Sequence, residues 1–272
     1  MLIRLPTFYL SHGGGPWPYM TGESRQHFAA LESALKQLPE QLPMKPRAIL
    51  MISGHWEEPD FAVMSSAWPP MVYDYGGFPE ELYHIRYPAP GSPELARQVH
   101  SLIQKAGLPS RLDSVRGFDH GTYSLLAVTH PDAAIPVVQV SIRCDYNPES
   151  HMKLGRALAP VRQQGILIIG SGSSYDNLRG MMSVRLNSTE KHSAKFDAWL
   201  SETLVHCSPT ERSARLLEWH RAPFARAVHP QEDHFVPLHV AVGTAEREPG
   251  KVVYQEDKFF GNITMSSYRF GN

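Results

Sequence analysis

Histidine is the side chain of this sequence best suited to chemistry. Fourteen occur in 272 residues, and imidazole is both the commonest metal ligand and the group that titrates near neutral pH. Count alone decides nothing, so placement carries the argument. His12 lies in SHGGGP and His55 in SGHWE, each at the end of a short apolar run. Ligands of α/β sheets gather outside the carboxyl ends of strands, so two histidines at equivalent strand exits would converge on one crevice. Glycines beside them let the backbone bend and leave room next to each ring. A third donor can come from HPQEDHFVPLH, His229 to His239, a polar loop leading into an apolar helix. With Asp233 or a neighbour as the helix cap, His234 would sit on the first turn. His229, Glu232, Asp233 and His239 compete with it, and the plain alternative is a capped helix with surface histidines. Three neutral imidazoles would leave a divalent cation its full charge and open coordination positions.

Two further segments have the look of site loops. RGFDHGT places His120 beside Asp119 ahead of a helix, as an acid/base residue or a histidine of the cap region. GSGSSYDNL, Gly170 to Leu178, follows an apolar run, and its glycines and hydroxyls suit an anion. It matches neither glycine pattern of the nucleotide-binding loops, which argues against a nucleotide.

Strand-length apolar runs at Thr7–Leu10, Ala48–Ser53, Ile135–Ser141 and Ile166–Ile169 would position these residues. Helical spacing appears over Ser24–Leu38, Pro93–Ala106, Thr122–Val128, Glu149–Arg162 and Glu190–Leu204. Alternating strands and helices predict an α/β fold with a central, largely parallel or mixed sheet covered by helices on both faces. Val252–Gln255 and Ile263–Tyr268 read as a closing strand pair around Gly261 and Asn262. Trp68–Pro93, crowded with proline, glycine and aromatics, is a long ordered loop of the kind that usually carries function.

Hydrophobic residues make up 42% of the chain and charged ones 19%, enough to bury a large core without disulfides. No flexible linker marks a seam, so residues 1–272 are expected to form a single domain. A net charge of -1 gives no footprint for nucleic acid or acidic membranes. The opening MLIRLPTFYLSHGGG is too short an apolar run for a secretory or membrane segment, which predicts a cytoplasmic protein. Cys144 and Cys207 fit no thiolate metal or redox spacing and are expected to be free, buried thiols.

SHGGGP, SGHWE, YDYGGFPEELYHIRYPAPGSP, GFDHGTYSLL, IPVVQVSI, GSGSSYDNLRG and HPQEDHFVPL run across nearly the whole chain. Together they resemble, in order, the class III extradiol ring-cleavage dioxygenases of the 4,5-DOPA extradiol dioxygenase-like branch. The resemblance implies that His12, His55 and His234 bind the metal, Fe(II) for catalysis, with Zn(II) as an ion found on purification. It implies that His120 lies near the substrate and handles a proton or positions oxygen, and that Tyr73, Tyr75, Phe78 and Tyr175 help bind the substrate. One position departs: where the family commonly has histidine in the SG-x-x-x-x-N-L stretch, this chain has Asp176. Aspartate can accept a proton or bind the metal through oxygen, but its ordinary pKa near 3.9 makes it a weaker base than imidazole near 6.5.

The expected reaction is extradiol cleavage of a small catechol such as DOPA by dioxygen, with a homo-oligomer left open. Arg86, Arg116 and Arg179 can each meet a substrate carboxylate, against surface solvation as the ordinary fate of an arginine. Two rivals share the metal: a zinc hydrolase with Asp176 as base, and a non-catalytic binding protein.

Overall fold

The structure is a computed structural model that describes residues 3–181 and 186–272. Eight strands form one sheet: β1 (Thr7–Ser11), β2 (Ala48–Glu58), β3 (Phe61–Met64), β4 (Ser110–Asp113), β5 (Val137–Arg143), β6 (Ile166–Gly172), β7 (Gly250–Phe259) and β8 (Ile263–Phe270). The helices are α1 (Glu23–Gln26), α2 (Ala29–Lys36), α3 (Pro93–Lys105), α4 (His120–Thr129), α5 (Pro148–Leu158), α6 (Leu178–Met181), α7 (Leu186–Ser201), α8 (Pro209–Leu217), α9 (Ala225–Val228) and α10 (Val236–Thr244).

Across the sheet the order is β4-β3-β5-β2-β6-β1-β8-β7. The inner four, β5, β2, β6 and β1, run parallel. β8 turns antiparallel to β1, and β7 to β8, while β3 is antiparallel to β5. The sheet is therefore mixed, with its parallel strands at the centre. Strands buried on both faces read as unbroken apolar runs, and β2 shows why: Ile49 and Met51 enter one core, Ala48, Leu50 and Ile52 the other. Leu31 and Leu35 of α2 with Leu125 and Leu126 of α4 fill the first, and Leu95 and Val99 of α3 with Leu154 of α5 fill the second.

Several expectations need correction. The helix expected over Ser24–Leu38 breaks at His27 and Phe28, because Phe28 turns inward and stacks on Trp17 with ring centroids 5.0 Å apart. The helix expected to reach Arg162 ends at Leu158 and tightens into a 3-10 turn over Ala159–Gln164, where Pro160 has no N–H to continue the ladder. The strands β3 and β4 and the helix α8 escape the pattern reading; β4 is a polar edge, Ser-Arg-Leu-Asp, with no apolar signal. Both cysteines are free, but Cys144 is exposed and Cys207 half-buried, so neither is the buried thiol expected. Among the described residues no helix is long and apolar enough to cross a membrane.

Candidate metal centre

Sheet register brings the first two histidines together. Ser11 of β1 pairs with Gly172 of β6, and Ser53 of β2 with Ser171, so the chain beyond Ser11 and Ser53 leaves the sheet at one level. His12 follows Ser11 directly, its N–H donating to the Gly172 carbonyl at 3.0 Å. His55 is not at a strand exit: β2 continues to Glu58, and pairing with β5 shifts between Ser53 and Glu57. A bulge bends a strand and re-aims a side chain, which here carries His55 toward His12.

His120 is the first residue of α4, and Asp119 caps that helix by accepting from the Thr122 N–H at 3.1 Å. Asp119 is wholly buried and also receives Ser53 Oγ and Arg116 Nη2, each at 2.7 Å, and Gln139 Nε2. Arg116 donates in turn to the His55 carbonyl at 3.1 Å and lies over the Trp56 ring. The bulge and the start of α4 are thus tied into one unit.

The His234 segment corrects another expectation. α10 begins only at Val236, its cap Phe235 offers no side-chain bond, and Asp233 spends its carboxylate on His234 Nδ1 at 2.8 Å. His234 is fixed through its carbonyl, which accepts from Tyr9 Oη at 2.9 Å and from the Ser173 N–H at 3.1 Å. This close approach needs glycine beneath it: a Cβ at Gly172 would stand 2.0 Å from that carbonyl oxygen.

The imidazoles meet through their Nε2 atoms. His55 Nε2 lies 3.0 Å from His12 Nε2 and 3.1 Å from His234 Nε2. Each outer nitrogen has an oxygen partner: His12 Nδ1 has Ser171 Oγ at 3.0 Å, His55 Nδ1 has Asp74 at 3.3 Å, and His234 Nδ1 has Asp233 and, at 3.1 Å, Asp176. Ser171 donates its own proton to the Gly121 carbonyl, so it accepts from His12. A carboxylate can only accept, so the outer Nδ1 atoms are N–H, and each ring in its neutral form turns a bare Nε2 lone pair inward. Bare lone pairs this close repel, and a proton or a cation must stand among them.

Burial, then His234 and His120, holds the His12 imidazole well below its usual pKa; burial and the three neighbouring histidines do the same to His55. At His234 burial works downward too, but Asp176 and Asp233 overcome it and push the ring up to about 10. A divalent cation entering among these nitrogens would displace any proton that His234 holds on Nε2. Nitrogen ligands about 2.1 Å from a cation and at right angles stand about 3.0 Å apart, so the donor set fits such an ion.

Ring nitrogens of His12, His55 and His120 lie within 4.8 Å of one another, and so do ligand atoms of Asp176, Asp233 and His234. The two groups join at the His55–His234 contact. Among the described residues the Nε2 contacts run His12–His55–His234, whereas His120 gives its Nδ1 to Asp74 at 2.9 Å and sets its ring 3.9 Å, centroid to centroid, from that of His55. Those Nε2 contacts, rather than mere proximity, favour His234 over His120 as the third ligand.

The other expected residues fall into two sets. Tyr75 stands 5.9 Å from the His120 ring and 5.2 Å from Phe78, and Phe78 packs where a Cβ on Gly15 would be; Tyr73 is 6.3 Å from Tyr75. Tyr75 thus stands beside the cluster, with Phe78 and Tyr73 packed around it. Tyr175 does not join them: it is buried in the core with its hydroxyl where a Cβ on Gly180 would be. Asp176 is brought in, but onto the outer nitrogen of His234. Of the competing ligands, His229 and His239 are fully buried and face the Ser174 and Leu216 carbonyls, and Glu232 pairs with Arg226. Arg116 is committed to Asp119, while Arg86 and Arg179 are exposed. No anion cradle forms at Gly170–Leu178, because Ser171, Ser173 and Ser174 all spend their hydroxyls within the protein. Ser171 and Asp74 were missed in the sequence. For Asp74 the one available signal was an acid between Tyr73 and Tyr75 in the loop already singled out.

Comparison with known proteins adds the following. The family model described as the catalytic LigB subunit of aromatic ring-opening dioxygenase matches residues 6–271. A 4,5-DOPA dioxygenase extradiol of Beta vulgaris is 36% identical over 266 residues, covering 97% of this chain and 96% of that protein. One of Escherichia coli K12 is 31% identical over 269 residues, covering 98% and 95%. The crystal structure of an uncharacterized Escherichia coli K12 protein superposes with a TM-score of 0.77 at 28% identity, covering 98% of this chain and all of the other.

Proposed function

This chain belongs to the LigB family of aromatic ring-opening dioxygenases, and on that premise we propose that it cleaves a small catechol, such as DOPA or a related phenolic acid, by the extradiol route. Both atoms of dioxygen enter the product, a muconic semialdehyde-type open chain. His12, His55 and His234 would hold one cation, Fe(II) in the working enzyme. Bound there, iron would supply the electron path from catechol to dioxygen, which zinc, having no accessible redox change, does not.

The rest of the proposal concerns the chain's own groups. His120 donates its Nδ1–H to Asp74, which leaves its Nε2 as the acceptor for a catechol O–H proton. Tyr75 and Phe78 present apolar ring surface beside it and would exclude water from one side of the substrate. Asp176 lies 3.1 Å from His234 Nδ1, so we assign it to orienting His234 rather than to receiving the substrate's proton. That placement also weakens the hydrolase reading, which needed Asp176 as a base beside bound water.

The observation that carries the proposal is the meeting of three Nε2 atoms whose outer nitrogens already face oxygen partners. Its test is oxygen consumption and the rise of a yellow ring-opened product after anaerobic Fe(II) loading, across a panel of catechols. One oxygen consumed per ring opened is expected; silence across the panel would overturn it.

A further inference from the structure

One carboxylate serves two of the four imidazoles. Asp74 Oδ1 accepts from the Nδ1 of His120 at 2.9 Å and from the His120 backbone N–H at 3.0 Å. Its Oδ2 lies 3.3 Å from the Nδ1 of His55. The two rings it serves stand 3.9 Å apart, centroid to centroid. We infer that Asp74 is a positioning residue that fixes the orientation and the tautomer of His55 and His120 together, so that both present a bare Nε2.

Three observations support the assignment. First, a carboxylate has no proton to give, so the His120 Nδ1 hydrogen-bonded to it must be N–H, and a bare lone pair on His55 Nδ1, 3.3 Å from the other oxygen, would be repelled where an N–H is attracted. The oxygen that orients a histidine in this way commonly sets which nitrogen is left for chemistry. Second, Asp74 is delivered by a braced loop: Tyr73 Oη donates to the Ile85 carbonyl at 2.8 Å and Tyr75 Oη to the Leu82 carbonyl at 2.5 Å. The same loop is pinned to the approach of α4, with the Val72 N–H donating to the Phe118 carbonyl and the Phe118 N–H to the Pro70 carbonyl, each at 2.8 Å. Third, Tyr73 and Tyr75 flank Asp74 on the loop that lines the centre. A displacement of that wall therefore moves the carboxylate, and with it a metal ligand and a proton acceptor at once.

The inference rests on the ring-opening proposal only for its catalytic consequence; the tautomers are a property of the protein whatever it turns over. The test is ¹⁵N NMR of the imidazole nitrogens in the full-length chain, metal-free at pH about 8, above the ordinary imidazole range, and again loaded with zinc. In the wild type both His55 and His120 are expected to carry hydrogen on Nδ1. Hydrogen on the Nε2 of either ring overturns the inference, and this measurement decides alone if a variant fails to fold. In Asp74→Asn the amide can accept only one of the two N–H groups. At least one ring is expected to shift its hydrogen to Nε2, and zinc affinity to fall about 10- to 100-fold. Unchanged tautomers at both rings, or zinc affinity within about twofold of wild type, would overturn it. A wild type with no oxygenase activity that still shows both Nδ1–H groups sinks the proposed reaction and leaves Asp74's role standing. The opposite pattern, an active enzyme with the other tautomer, sinks only the role of Asp74.

Discussion

The Nε2 of His234 lies 3.1 Å from the Nε2 of His55 across 179 positions of sequence. Two imidazole nitrogens approach so closely only with a proton or a cation at hand, and Asp176, Asp233 and Asp74 occupy the outer nitrogens from which a proton would otherwise be rearranged.

His120→Ala removes the proposed proton acceptor without touching the three Nε2 contacts. Its kcat on a catechol substrate is expected to fall about 10²- to 10⁴-fold, the usual worth of a positioned acid/base group, while bound metal per chain stays at the wild-type value. Loss of metal together with activity would instead make His120 a ligand.

Asp176 and Asp233 share His234 Nδ1, at 3.1 and 2.8 Å. Asp176→Asn is therefore expected to weaken metal binding by about tenfold in a chelator competition, because Asp233 remains. Replacing both should cost more than the sum of the single changes. If kcat fell steeply in Asp176→Asn at full metal occupancy, the aspartate would be acting on the substrate and our assignment would be wrong.

Gly172→Ala puts a methyl 2.0 Å from the His234 carbonyl oxygen, a backbone atom that cannot swing aside. We expect His234 to be pushed out of the cluster, with lower metal affinity and a lower Tm. A crystal structure of the variant with His234 unmoved would refute this.

Three histidines outside the centre predict the acid limb of stability. Burial, partly countered by hydrogen bonds to carbonyls, lowers His151, His229 and His239 to about 4. Their folded pKa lies below the unfolded value near 6.5, so the unfolded chain binds more protons in between. Stability is therefore fully present above about 6.5 and is lost as pH falls toward about 4, by up to roughly 1.4 kcal/mol per pH unit for each histidine. Chemical denaturation across that range measures it, and a flat profile would show that these rings charge freely in the fold.

His12 was legible because its ring follows a strand that ends in glycines, and sequence shows such an exit directly. His55 was legible as a candidate but not in its setting, since a bulge between Ser53 and Glu57 exists only relative to the register of β5. His234 stood out from His229 and His239 only through the family resemblance. Spacing could not tell that the other two are fully buried against carbonyls. Asp74 was illegible as a functional residue because one of its partners, His120, lies 46 positions away, and no local pattern announces such a contact. Tyr175 shows the converse: its neighbour Asp176 reaches the centre, while the tyrosine itself turns into the core. The central strands were readable from their apolar runs, while β4, polar and at the edge, was not.

Iron-edge anomalous diffraction from crystals loaded anaerobically with Fe(II) shows whether three imidazoles share one ion. A single strong peak is expected about 2.1 Å from the Nε2 atoms of His12, His55 and His234. A peak held instead by Asp176, Asp233 and the Nδ1 of His234, or no peak among these rings at full iron loading, would contradict it.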